Sequence, residues 1–119
     1  MNKMHLRIVQ SVGKYSKELN AKIKKGKIKH QSGLVMTPET FNKVFSPERI
    51  KLLQKIYKNN IKNIYQLARE LGKPYEVVFR NIQYLAGIGL VRIKDKDSKK
   101  VPYVAGPLLI DMFGDKAEV

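Results

Sequence analysis

The residues whose types and spacing suit a chemical task gather between Lys73 and Gly87. Arg80 carries a planar fork of donors that matches the O6/N7 edge of guanine. Gln83 carries the donor and acceptor that match adenine, and Val77 offers an apolar surface for a thymine methyl. Tyr75 and Tyr84 add phenols, and Lys73 adds charge just ahead of them. Catalytic chemistry is not expected. The chain has no cysteine, and its two histidines, His5 and His30, stand far apart with no carboxylate cluster beside either. Thiolate chemistry is thereby excluded and a metal site disfavoured. There is no paired-carboxylate cluster, no glycine-rich phosphate cradle and no Ser/His/Asp set with a workable geometry. No enzyme activity, cofactor or metal is therefore expected.

A second group of residues is cationic. The 119 residues hold 24 Lys and Arg against 10 Asp and Glu, a net charge of +14. A compact body of that size repels itself, and a polyanionic partner accounts for the excess. Heat adaptation would raise glutamate together with lysine, and glutamate is scarce. Arg92, Lys94, Lys96, Lys99 and Lys100 crowd one polar stretch and suit phosphate contacts. Lys22, Lys24, Lys25, Lys27 and Lys29 form another cluster, either a solvated helix end and loop or an arm over a phosphate backbone. The distribution is uneven. Residues 1–30 hold nine Lys or Arg against Glu18, whereas residues 103–119 set Lys116 against Asp111, Asp115 and Glu118. The binding face is expected to exclude the C-terminus.

Periodicity and capping residues indicate the elements that position these groups. His5–Val9 reads as a strand. Val12, Tyr15, Leu19 and Ile23 form a helical stripe that Gly26 would end, and Gly33–Met36 reads as a second short strand. Thr37-Pro38-Glu39 and Ser46-Pro47-Glu48 each combine a hydroxyl cap, a proline at the first helical position and an acid for the positive end of the dipole. They predict helices over about 38–44 and 47–59, the second burying Ile50, Leu53, Ile56 and Tyr57. Asn63 with Gln66 suggests a capping box for a third helix with Ile64, Leu67, Ala68 and Leu71 on one face. After Gly72-Lys73, Pro74 opens a helix that buries Val78, Ile82, Leu85 and Ile88. Its outward side is expected to show Tyr75, Glu76, Val77, Phe79, Arg80, Gln83 and Tyr84, with packing as the alternative for Phe79 and Tyr84. Leu90–Lys94 and Val101–Val104 predict a hairpin around a polar turn at 95–100, and Leu108–Phe113 a last strand.

The order helix, helix, glycine turn, helix, hairpin is that of a helix-turn-helix followed by a wing. From Ser46 to Tyr103 the chain resembles winged helix-turn-helix regulators of the MarR and ArsR type. Ile64-Tyr65-Gln66-Leu67-Ala68-Arg69-Glu70-Leu71-Gly72 looks like their "I-x-x-L-A-x-x-L-G" helix, and Leu85 to Val91 looks like their "L-x-x-x-G-L-V". The whole chain is similar to small, mostly archaeal regulators in which a strand, a helix and a second strand precede the winged helix. The lysine-rich N-terminal helix departs from that pattern. The expected fold is α+β, mainly α, with a basic strand-helix-strand extension over 1–36 and a winged helix-turn-helix domain with a C-terminal strand over 37–119. The resemblance implies a transcriptional regulator on double-stranded DNA, repressor-like, with Lys73, Tyr75, Val77, Arg80, Gln83 and Tyr84 on the recognition helix and Arg92, Lys94, Lys96, Lys99 and Lys100 on the wing. Non-specific DNA packaging, or an adaptor role with a protein or RNA partner, are the alternatives. A homodimer is expected, with the N-terminal helix stripe and Leu108–Phe113 as spare apolar surfaces. No signal peptide is visible and no apolar run reaches the ~20 residues of a membrane span, so a cytoplasmic protein is expected.

Overall fold

The computed structural model describes residues 4–24, 33–58 and 61–114, the side chains of Lys22 and Ile23 excepted. Along the chain run β1 (Met4–Ile8), α1 (Val12–Lys24), β2 (Leu34–Met36), α2 (Pro38–Val44), α3 (Pro47–Lys58), α4 (Ile64–Leu71), α5 (Tyr75–Ile88), β3 (Arg92–Lys96), β4 (Lys99–Tyr103) and β5 (Leu108–Asp111). The architecture is α+β. The chain divides into a unit formed by Val44–Gly106 and a second unit drawn from the residues on either side of it.

The flanking unit is built on a three-stranded sheet in the order β2-β1-β5. β1 runs parallel to β2, with Leu6 opposite Leu34 and Ile8 opposite Met36. Parallel neighbours need a crossover, and α1 lies within it. Its Tyr15 is buried together with Val9, and Leu19 and Val35 pack against that pair. Tyr15 and Leu19 of the α1 stripe are thus used in packing and are not spare surface, whereas Val12 at its start is exposed. Gly33 enters β2 at φ 141°, where an added Cβ would stand 2.8 Å from the His5 carbonyl oxygen. Only glycine fits there.

β5 corrects the expected domain boundary. It pairs parallel with β1, with Met4 opposite Leu108 and Arg7 opposite Asp111. That last pair also carries an ion pair of 3.6 Å. The C-terminal strand therefore completes the sheet that the N-terminal segment begins and does not extend the 44–106 unit. Local sequence cannot report this, because strand pairing across a hundred residues is set by the sheet partner. The strand also stops at Asp111, short of the expected Phe113.

The 44–106 unit starts from well-marked helices. The Ser46 hydroxyl accepts the Arg49 N–H at 3.3 Å, as the Thr37 hydroxyl accepts that of Thr40 in the other unit. α3 buries Leu52 and Ile56, while Ile50 and Tyr57 are exposed. The expectation of Ile50 and Tyr57 as core is thus overturned: five apolar residues spread around α3, and the packed side is the one centred between Leu52 and Ile56. The Asn63 side chain accepts the Gln66 N–H at 2.9 Å, and Gln66 returns its oxygen to the Lys62 N–H at 2.7 Å, one residue short of a regular capping box. Ile64, Leu67 and Ala68 are buried from α4, and Val78, Ile82 and Leu85 from α5. Gly72 joins the two helices at φ 65° and donates to the Ala68 and Arg69 carbonyls. Lys73 N–H reaches the Ala68 carbonyl as well, which closes the end of α4.

The hairpin is longer than its sequence suggested. β3 and β4 pair from Arg92 opposite Tyr103 to Lys96 opposite Lys99, so the turn is the two residues Asp97 and Ser98. The polar residues 95, 96, 99 and 100, expected in a turn, continue the ladder as a solvated ribbon. Both turn residues have positive φ, 52° and 63°, the backbone of a two-residue type I′ connection whose twist matches the strands. Without glycine that conformation is costly. Ser98→Gly is expected to raise stability by about 0.5–1 kcal/mol, and Gly72→Ala to lower it by about 1 kcal/mol. Thermal denaturation of the two variants beside the parent checks both signs.

Candidate nucleic-acid interface

α5 has three kinds of surface. Val78, Ile82 and Leu85 make the buried side. Glu76, Arg80, Gln83 and Gly87, spaced four, three and four residues apart, make an exposed stripe on the opposite side. Between them lie two half-covered flanks, and these take most of the aromatic residues that sequence reasoning had turned outward.

One flank faces α4. Tyr65 stacks on Tyr75 with ring centroids 4.2 Å apart and planes 16° from parallel. Tyr75 in turn stacks on Phe79 at 5.7 Å and 10°. Tyr75 and Phe79 are one turn apart on α5, and Tyr65 meets Tyr75 from the first turn of α4. The Tyr75 hydroxyl is held above its ordinary pKa, first by desolvation and then by the Tyr65 phenol, through charge and a hydrogen bond. The other flank faces α3. The Arg49 guanidinium lies 4.1 Å from the centre of the Tyr84 ring, and its Nε–H donates to the Asn81 side chain at 3.0 Å. Val77 is half-buried and lines a recess with Leu52, Leu71 and Lys73. Of the six residues proposed on or beside this helix from sequence, Arg80 and Gln83 are therefore on the exposed side, while Tyr75, Val77 and Tyr84 sit on packed flanks. Packing, the alternative that the sequence offers for Phe79 and Tyr84, is what both do, against Tyr75 and Arg49 respectively, whereas helical periodicity does not show the neighbours of Tyr75 and Val77. Lys73 is exposed in the preceding turn, 3.7 Å from the Glu48 carboxylate.

The hairpin presents the second cationic surface. All of β3 is exposed, whereas β4 buries Val101 and Pro102. Residues opposite one another share a face, so Arg92, Lys94, Lys96 and Lys99 lie together, and Lys94 Nζ stands 5.4 Å from the Tyr103 ring centre. Lys100 lies on the other face, 3.6 Å from Asp95. Exposed pairs of this kind are worth only ~0–1 kcal/mol and are readily exchanged for phosphate. Among the described residues, Arg80, Arg92, Lys94, Lys96 and Lys99 enter no ion pair.

Other expected groups are less fully visible. Lys24 is exposed at the end of α1 in the flanking unit, the Lys22 side chain is not described, and Lys25, Lys27 and Lys29 lie outside the described residues. Three residues on or beside the interface were missed from sequence: Tyr65, Arg69 and Arg49. Tyr65 and Arg69 share one flank of α4 at i and i+4, a spacing that the sequence does display. Arg49 had no such signal, because its partners are 32 and 35 positions away. Among the described residues there is no group of three or more His, Asp or Glu that could hold a metal, and no helix is long and apolar enough to cross a membrane.

Residues 44–106, more than half of the chain, match the HVO_A0114 family. The chain belongs to the HVO_A0114 family. The matched segment coincides with the structural unit that carries α3, α4, α5 and the hairpin. No curated protein matches the sequence. Among solved structures, a predicted DNA-binding transcriptional regulator from E. coli is similar in fold, with a TM-score of 0.51 and 12% identity over 76% of this chain and 83% of that one. This HVO_A0114-family protein thus has an α+β fold similar to that of the E. coli structure. In alkaline titration followed by tyrosine absorbance, the Tyr75 phenol should ionise late, and Tyr65→Phe should move it back toward the ordinary range. Because burial favours its neutral form, the stability it contributes is complete below the ordinary pKa and is lost as pH rises through the raised one.

Proposed function

We propose that this HVO_A0114-family protein is a transcriptional regulator that binds specific sequences of double-stranded DNA, a winged helix-turn-helix of the MarR/ArsR type with repressor-like action in the cytoplasm. The observation that carries this reading is the uncovered stripe Glu76, Arg80, Gln83 and Gly87 on α5. A helix enters the major groove with one free side while the rest of the unit holds it in place. Arg80 has the fork for guanine and Gln83 the amide for adenine. Val77, Tyr75 and Tyr84 act mainly in holding α5, and Lys73 reaches phosphate by exchanging Glu48. The hairpin serves as a wing, its Arg92, Lys94, Lys96, Lys99 and Lys100 neutralising the phosphate backbone. The similarity in fold to a predicted DNA-binding regulator supports the same assignment. A binding role without catalysis or cofactor is in keeping with a surface of amide, guanidinium and ammonium groups.

We further infer binding as a homodimer. β5 is an edge strand that exposes Leu109 and Ile110, and Met112 and Phe113 beyond it are more exposed still. Pairing two copies would cover such an edge and double the base contacts available to one winged helix. Light scattering should give twice the chain mass, and Phe113→Asp should return it to one.

The deciding experiment is selection of bound fragments from random duplex DNA. The parent protein should yield a sequence logo, and the Arg80→Ala, Gln83→Ala double variant should lose it while keeping residual binding, each good base contact contributing about 1–3 kcal/mol of discrimination. A packaging protein would yield no logo in either form. If six to eight cations meet phosphates, log affinity should fall against log salt with a slope of about −5 to −7. A slope shallower than about −2 would show that the charge is not used on DNA.

A further inference from the structure

We propose that the groove beside Tyr65 receives an unpaired nucleobase, so that the protein binds where duplex DNA passes into a single-stranded extension. The proposal rests on the DNA-binding reading and adds a second site to it. Tyr65 ends the ladder of near-parallel rings formed with Tyr75 and Phe79. Tyr75 covers one face of it, yet the residue is 64% exposed, so its opposite face is open. The groove that it borders has a volume of about 630 Å³ and is bounded by the first turns of α4, Tyr75 on α5, and the hairpin from Ser98. That volume lies within the ~300–1,000 Å³ of sites that hold small organic ligands. Lys62, Arg69, Lys99 and Lys100 line it, and no carboxylate does.

An open aromatic face with cations around it is the arrangement that holds unpaired bases whatever their sequence, the ring stacking on the base and the cations tracking the backbone. A paired base cannot use it. Within a duplex both faces of each base are taken by its neighbours, and only the edges reach the grooves. The α5 stripe has side chains for those edges, whereas Tyr65 offers a face. A ladder that served only to fix α4 against α5 would not need its last ring uncovered and ringed by positive charge.

Four fluorescently labelled DNAs separate the possibilities, with anisotropy measured on the full chain at one salt concentration. They are a blunt duplex, the same duplex with a short 3′ or 5′ extension, and that extension made without bases. An extension of at least one polarity should bind about tenfold more tightly than the blunt duplex, and removing its bases should abolish the gain. Tyr65→Ala should abolish it too, the gain being read within each variant as the ratio of its extended-duplex to its blunt-duplex affinity, and Tyr65→Phe should keep it. The proposal is overturned if no extension improves binding, if the baseless extension binds as well as the complete one, or if Tyr65→Ala keeps the gain. Binding of the extended DNA without binding of the blunt one would remove the duplex reading and leave this site standing.

Discussion

Gly72 turns the chain with a left-handed backbone, and its N–H closes α4 on the carbonyls of Ala68 and Arg69. A residue with a Cβ resists that conformation by roughly 1–2 kcal/mol, so the short connection from α4 to α5 depends on a missing side chain. Packing then fixes the two helices. Ala68 and Leu67 from α4 are buried in the same unit as Val78, Ile82 and Leu85 from α5, and each large apolar side chain removed from water contributes about 1.5–3 kcal/mol. With one side of α5 committed in this way, the opposite side can only face solvent. The exposed stripe Glu76, Arg80, Gln83 and Gly87 is therefore a consequence of the turn and the core, not of any property of those four residues.

The flanks of α5 decide how firmly that stripe is held. A helix of fourteen residues buried along one line can still roll about its axis. Here the Tyr65–Tyr75–Phe79 ladder grips it from α4, and the Arg49 contacts with Tyr84 and Asn81 grip it from α3. Stacked rings and a guanidinium over a ring are directional as well as attractive. They fix rotation as area burial alone would not. The same contacts explain why side chains suited to bases, such as Val77 and Tyr84, act as supports.

Charge is organised differently from packing. Three of the five acids of the 44–106 unit stand against particular lysines, Glu48 with Lys73, Glu70 with Lys55 and Asp95 with Lys100, whereas Arg80 on the exposed face of α5 and Arg92, Lys94 and Lys96 on the outer strand of the hairpin are without such partners among the described residues. Exposed pairs contribute little to stability, and their placement matters more for where the positive potential remains. The family match over residues 44–106 bears on this unit, whereas the fold similarity to a DNA-binding regulator covers 76% of the chain and reaches beyond it. The sheet contributed by the flanking residues belongs to the separate unit.

The amino-acid sequence alone determined where helices begin and end, because capping is local: Thr37, Ser46 and Asn63 each accept an N–H three residues on. It also determined the buried line Val78, Ile82 and Leu85, since helical periodicity is set by the backbone, and it placed Arg80 and Gln83 on the open side. Tertiary structure decided the rest. Which flank of α5 meets which neighbour depends on chain segments ten to thirty-five residues away, so the sequence does not single out Tyr65 and leaves Tyr84 between base contact and packing. The hairpin ran through residues that looked like a turn, because ladder pairing tolerates polar side chains when both faces of a ribbon are wet. The last strand joined the first because a sheet edge selects its partner by geometry, and no periodicity within Leu108–Asp111 encodes where that edge will be.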